Sequence, residues 1–124
     1  MKTLIIAEKP SVALDLVKVL GQKSFTKNTG YYENDTTIVS HAVGHLVEIA
    51  DPKEIDERYK SWDMSVLPML PSSFPLAANP KTKSQLSVLS KQIKRKDVST
   101  IVNACDAGRE GELIFFYILD YVLK

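Results

Sequence analysis

Residues 3–13 read TLIIAEKPSVA and residues 100–114 read TIVNACDAGREGELI. Each passage opens on a short apolar, β-branched run, 3–7 in one and 100–104 in the other, with the length and composition of a strand. Each run then meets an acid: Glu8 directly after the first, Asp106 one residue beyond the second. After Glu8, Lys9-Pro10-Ser11 punctuates the chain, and Pro10 presets φ for a helix start. Val12, Leu16, Val19 and Leu20 then recur at helical spacing until Gly21 stops them. After Asp106, residues 109–123 predict a last helix, apolar on nearly every side because 113–119 is unbroken apolar or aromatic. Such a helix is either central to the core or covered by a part of the molecule beyond this chain. This order of strand, acid and helix predicts an α/β layer fold with a mainly parallel sheet, whose site lies beyond the carboxyl ends of the strands. If the two strands are neighbours, Glu8 and Asp106 meet at one edge, where the following helices also point their amino ends.

The intervening chain is less regular. Tyr31, Tyr32 and residues 36–39 flank a Glu33-Asn34-Asp35 turn, which predicts a hairpin. Residues 51–80 carry five of the six prolines, predicting an irregular connection with at most a short helix around 54–59. So long a connection implies function or contact with another part of the molecule. Residues 81–93 place Leu86, Leu89 and Ile93 on one side of an amphipathic helix. Its other side is basic: Lys81, Lys83, Lys91, Lys94, Arg95 and Lys96 fall between 81 and 96, where there is no acid. That local field reads either as a solvated helix face or as a nucleic-acid contact.

The 124 residues suit one domain with a core of its own. A composition of 44% hydrophobic and 25% charged residues excludes disordered, collagenous and coiled-coil classes. A net charge of +1 does not by itself demand an anionic partner. Cys105 is the single cysteine, which excludes an internal disulfide and a cysteine-rich zinc site. The first residues form neither a signal peptide nor a spanning segment, so a cytoplasmic protein is expected, with no membrane partner.

Asp106 and Glu110 are four apart across the start of the last helix, so their side chains share a face. With Glu8 opposite, three carboxylates converge on a site suited to Mg²⁺, a hard cation that keeps waters for substrate phosphate to replace. The alternative makes Asp106 a helix N-cap, with Glu110 and Glu112 as favourable first-turn acids. His41 and His45 have a spacing that invites zinc, but Gly44 intervenes and no fourth ligand is evident.

LIIAEKPSVA (4–13) and NACDAGREGELI (103–114), with Ser40-His41-Ala42-Val43-Gly44-His45-Leu46 between them, closely resemble the Toprim domain of type IA DNA topoisomerases, above all the topoisomerase III-like branch. The resemblance spans residues 1–124 and implies the Toprim fold, a compact, mainly parallel sheet with helices on both sides. It implies that Glu8 handles proton transfer at the leaving 3′ oxygen and that Lys9 stabilises charge on the reacting phosphate. Glu8, Asp106 and Glu110 would hold Mg²⁺, and Lys9, His45 and Arg109 would contact DNA, with a pairing to an acid as the other reading of Arg109 and a contact to a neighbouring domain as that of His45. His41 is assigned a structural role. The family's acidic triad, Asp-x-Asp-x-Glu, here has Gly108 in its middle place, so Mg²⁺ affinity should be weak unless DNA phosphate completes the site.

None of Tyr31, Tyr32, Tyr59, Tyr117 and Tyr121 sits where the family places its nucleophile, so the resemblance implies an N-terminal part of a longer enzyme. The nucleophile would lie in a further domain, the substrate would be single-stranded or underwound DNA, and the location would be cytoplasmic, at the bacterial nucleoid. The chain alone should not relax supercoiled DNA. Two other readings stand beside this one: a free-standing Toprim nuclease or primase-like domain, and a non-catalytic nucleic-acid-binding module.

Overall fold

A computed structural model describes residues 1–61 and 63–124 of the chain. The first apolar run becomes β1 (Lys2–Ala7), and its side chains alternate between two cores. Leu4 and Ile6 enter one, while Ile5 and Ala7 face the other. A strand that is apolar on both faces needs a helical layer over each. On one face α1 (Pro10–Gly21) supplies Ala13 and Val17. On the other lie α3 (Lys83–Ile93), with Leu86 and Leu89, and α4 (Arg109–Leu123), with Ile114 and Ile118. Leu4, Ile6, Ile38, Leu89 and Ile118 are no more than 1% exposed. Each such side chain contributes about 1.5–3 kcal/mol of burial free energy.

Three strands run parallel at the centre. β4 (Thr37–His41) and β7 (Val98–Ala104) flank β1, with Ala7 opposite His41 on one side and Ala104 on the other. The expected hairpin is β3 (Tyr31–Glu33) antiparallel to β4, and an unforeseen edge strand, β2 (Thr26–Asn28), extends it. The sheet order is therefore β2-β3-β4-β1-β7. The described residues of 51–80 hold more regular structure than their prolines suggest. α2 (Pro52–Ile55) and a 3-10 turn at Glu57–Lys60 replace the single short helix, and β6 (Leu76–Ala78) pairs antiparallel with β5 (Val47–Ile49) against α4. Three residues between Pro75 and Asn79 are too few to display a strand's alternation, which is why the sequence conceals β6.

Two readings of helix faces need correction. In α1 the packed residues are Val12, Ala13, Leu16 and Val17, whereas Val19 and Leu20 are exposed. Arg95, grouped by sequence with the free bases, is consumed in an ion-pair cluster at the amino ends of the strands. Its guanidinium donates to Glu33 Oε1 at 2.7 Å, to Asp97 Oδ2 at 2.7 Å and to Asp97 Oδ1 at 2.9 Å. Lys2 Nζ donates to the same Glu33 oxygen at 2.6 Å and to the Asn34 carbonyl at 2.8 Å. Arg95 holds the carboxyls of Glu33 and Asp97 below the usual carboxylate range, and its hydrogen bonds to both raise its own pKa. Among the described residues no helix is long and apolar enough to cross a membrane.

Candidate active site at the carboxyl edge of the sheet

The loop after β1 leads to α1 on one face, and the loop after β7 leads to α4 on the other. Adjacent parallel strands whose connections depart to opposite faces leave a crevice at their carboxyl ends, the place where α/β sheets take ligands. Glu8 and Asp106 stand on the two lips of that crevice, since Ala7 and Ala104 are in register. Glu8 Oε1 is buried and has no hydrogen-bond partner among the described residues. An unpaired buried oxygen costs about 1–3 kcal/mol, a penalty that a proton, a cation or a ligand donor would relieve. Lys9 occupies the N-cap position of α1 in extended backbone (φ −135°, ψ 152°). Its side chain is exposed and makes no ion pair among the described residues.

Asp106 is not a helix cap. The N-cap position of α4 falls to Gly108, whose extended backbone carries no side-chain cap. The Asp106 main chain instead makes the turn, its carbonyl accepting from Gly108 N at 2.8 Å, while its exposed side chain is unbonded among the described residues. Gly111, which the sequence reading passed over, makes this turn possible. A Cβ there would overlap the Asp106 carbonyl oxygen and lie 2.8 Å from its nitrogen and 2.9 Å from its carbonyl carbon. A glycine in the first turn of an otherwise apolar helix is the signal that could have flagged it.

Glu110 is paired with a histidine. Its Oε2 lies 2.9 Å from His45 Nε2. His45 is presented by a loop that turns at Gly44 (φ +65°), and its carbonyl accepts from Asn79 Nδ2 at 3.3 Å. Glu112 faces elsewhere, accepting from Asn103 Nδ2 at 3.3 Å. Among the described residues no group of three or more His, Cys, Asp and Glu is placed to hold a metal ion, so Glu8, Asp106 and Glu110 do not form the expected three-carboxylate cage. The unpaired Glu8 oxygen and the free Asp106 carboxylate still have the hard-donor chemistry of an Mg²⁺ that keeps most of its waters. Arg109 is exposed and without an ion pair among the described residues. His41 Nδ1 lies 3.0 Å from the Ala42 carbonyl, and its own carbonyl accepts from Gln85 Nε2 at 2.7 Å, a structural setting.

The only thiol reports the field of the crevice. Burial foremost, then the charges of Glu8, Asp106 and Glu112, push Cys105 up to about 11. The thiol lies 3.7 Å from the Ile6 carbonyl. A neutral sulfur in an acidic surrounding is no nucleophile.

The family model of the Toprim domain matches residues 3–124, and the chain belongs to the Toprim family. It is 47% identical over 121 residues, 98% of its length, to a protein named DNA topoisomerase 3 from Bacillus thuringiensis (strain Al Hakam). It is 45% identical over 119 residues to the protein of that name from Bacillus subtilis (strain 168), and 46% identical over 119 residues to that from Bacillus licheniformis. The chain spans about 16% of the length of these curated relatives. The resemblance to the topoisomerase III-like branch of type IA enzymes therefore holds over nearly the whole chain.

Proposed function

We propose that this chain is the metal-binding and acid-base half of a type IA topoisomerase active site, acting on single-stranded or underwound DNA. The observation that carries the reading is Glu8 Oε1, buried and unpaired among the described residues at the end of β1, the strand in register with the one that leads to Asp106. Glu8 is the group that gives a proton to the leaving 3′ oxygen and takes it back on religation. Lys9, exposed and uncommitted at the crevice, donates to a non-bridging phosphate oxygen where charge grows in the transition state. Glu8 and Asp106 would hold Mg²⁺, which when bound neutralises phosphate charge. Glu110, whose Oε2 is taken by His45, would be the third carboxylate through its other oxygen, and His45 and Arg109 face the DNA backbone. The attacking tyrosine belongs to a domain outside this chain: its oxygen bonds to phosphorus as the P–O3′ bond breaks, leaving a 5′-phosphotyrosyl link. The cytoplasm, at the nucleoid, is the setting this chemistry requires.

The test is an NMR titration of the chain with Mg²⁺ and trace Mn²⁺, with and without a short single-stranded oligonucleotide. Broadening confined to Glu8, Asp106 and their neighbours, stronger with DNA, is expected. DNA binding that ignores the metal, with no broadening at either acid, would overturn the reading in favour of a non-catalytic module. Cleavage of the strand by the chain alone would favour a free-standing nuclease.

A further inference from the structure

Every exposed residue between 81 and 96 is lysine or serine: Lys81, Lys83, Ser84, Ser87, Lys91, Lys94 and Lys96. Leu86, Leu89 and Ile93 of the same segment are buried in the core, and Arg95 is bound to Glu33 and Asp97. Six of the sixteen bases and none of the fifteen acids lie in this window, which thus carries a formal +6 while the rest of the chain carries −5. So segregated a charge is a surface feature of its own, which the balanced total conceals. On α3 the exposed Lys83, Ser87, Lys91 and Lys94 follow spacings of three or four and form one stripe along the helix.

The stripe has a direction. α3 begins just after Asn79, whose side chain donates to the carbonyl of His45, the residue bonded to Glu110. It ends at Ile93, two residues before Arg95 of the ion-pair cluster at the opposite edge of the sheet. The lysines therefore run for about 16 Å from beside the candidate active site to the far side of the domain.

We infer that this lysine–serine stripe is a track for the backbone of single-stranded DNA, a metal-independent contact separate from the crevice. Lysine charges and serine hydroxyls are backbone-binding groups that carry no sequence preference. The face displays no aromatic or aliphatic side chain to enter a lipid surface, which excludes the usual construction of a membrane-binding helix. The inference takes its DNA substrate from the function proposed above, but requires neither the metal nor Glu8.

The test is fluorescence anisotropy of a labelled single-stranded 20-mer with the whole chain, in EDTA, over a range of salt. The variant Lys83→Gln, Lys91→Gln, Lys94→Gln should bind at least tenfold more weakly at low salt, and its slope of log K against log salt should be shallower by about 2, since single strands give about 0.7 per phosphate contact. The equally discharged variant Lys18→Gln, Lys23→Gln, Lys27→Gln, whose lysines lie exposed outside the window, should retain most of the affinity. Equal losses in both variants would mean diffuse charge attraction and overturn the proposal, as would an unchanged stripe variant. Stripe-dependent capture by anionic phospholipid vesicles in preference to the oligonucleotide would overturn it as well. Melting curves of both variants guard against misfolding. A chain that binds in EDTA through the stripe but ignores Mg²⁺ would sink the proposed metal site and leave this inference standing.

Discussion

The two edges of the central parallel strands use charge in opposite ways. At the amino edge, Lys2, Glu33, Arg95 and Asp97 bond to one another at 2.6–2.9 Å and join the start of β1, the end of β3 and the chain between α3 and β7. At the carboxyl edge, only a few residues further along the same strands, Glu8 keeps an unpaired buried oxygen and Asp106 and Lys9 are uncommitted among the described residues. Charges satisfied within the fold hold it together. The buried Glu8 oxygen left without a partner is instead a cost in stability that a proton, a cation or a ligand donor would relieve.

The strongest test of that contrast removes a group from the carboxyl edge and looks for loss of activity without loss of stability. With this chain in place of the corresponding segment of Bacillus subtilis DNA topoisomerase 3, Glu8→Ala should lower strand cleavage by about 10²–10⁴-fold, the usual worth of a general acid. The melting temperature of the isolated chain should stay level or rise, because an unpaired buried oxygen has gone. A clear fall in melting temperature would show that Glu8 belongs to the structural set. Next in size is Gly111→Ala. Glycine to alanine inside a helix ordinarily stabilises by about 0.8–1.0 kcal/mol. Here the added Cβ meets the Asp106 main chain, and chemical denaturation should show a loss of about 1–3 kcal/mol, as overpacking does.

The amino edge should answer in the opposite sense. Arg95→Ala should destabilise the chain by about 1–2 kcal/mol, a value reduced from that of a buried pair because the side chains are partly exposed. Oligonucleotide binding should change little. The same cluster sets the acid limit. The Glu33 carboxyl is held below its ordinary value, chiefly by the hydrogen bond from Arg95. Its contribution is present above the ordinary carboxylate range and is lost as pH falls through the lowered value. Melting curves between pH 7 and 3 should therefore fall more gently for Arg95→Ala than for the parent. The smallest effect is Mg²⁺ itself: at 10 mM, a site of millimolar affinity adds about 1.4 kcal/mol at most, readable as a slight rise in melting temperature that Glu8→Gln abolishes.

The strand ends and their acids were legible because local chemistry fixes them. TLIIA and TIVNA are short β-branched runs bounded by turn signals, and the last helix occupies the residues its pattern foretold. The hairpin turn was legible for the same reason. What escaped depends on partners distant in the chain. Nothing near Arg95 in sequence announces Glu33, 62 residues away, and nothing near Glu110 announces His45, 65 residues away. The turn at Asp106, which leaves the alternative of a helix cap unused, has a related cause: Gly111 packs against the Asp106 main chain five residues away.

Because Glu8 rides on the loop to α1 and Asp106 on the loop to α4, the crevice works as a caliper whose jaws belong to opposite layers of the molecule. Any slide of one helical layer across the sheet changes the gap between the jaws first. A small displacement imposed on either face from outside would thus register first as a change in the distance between these two loops.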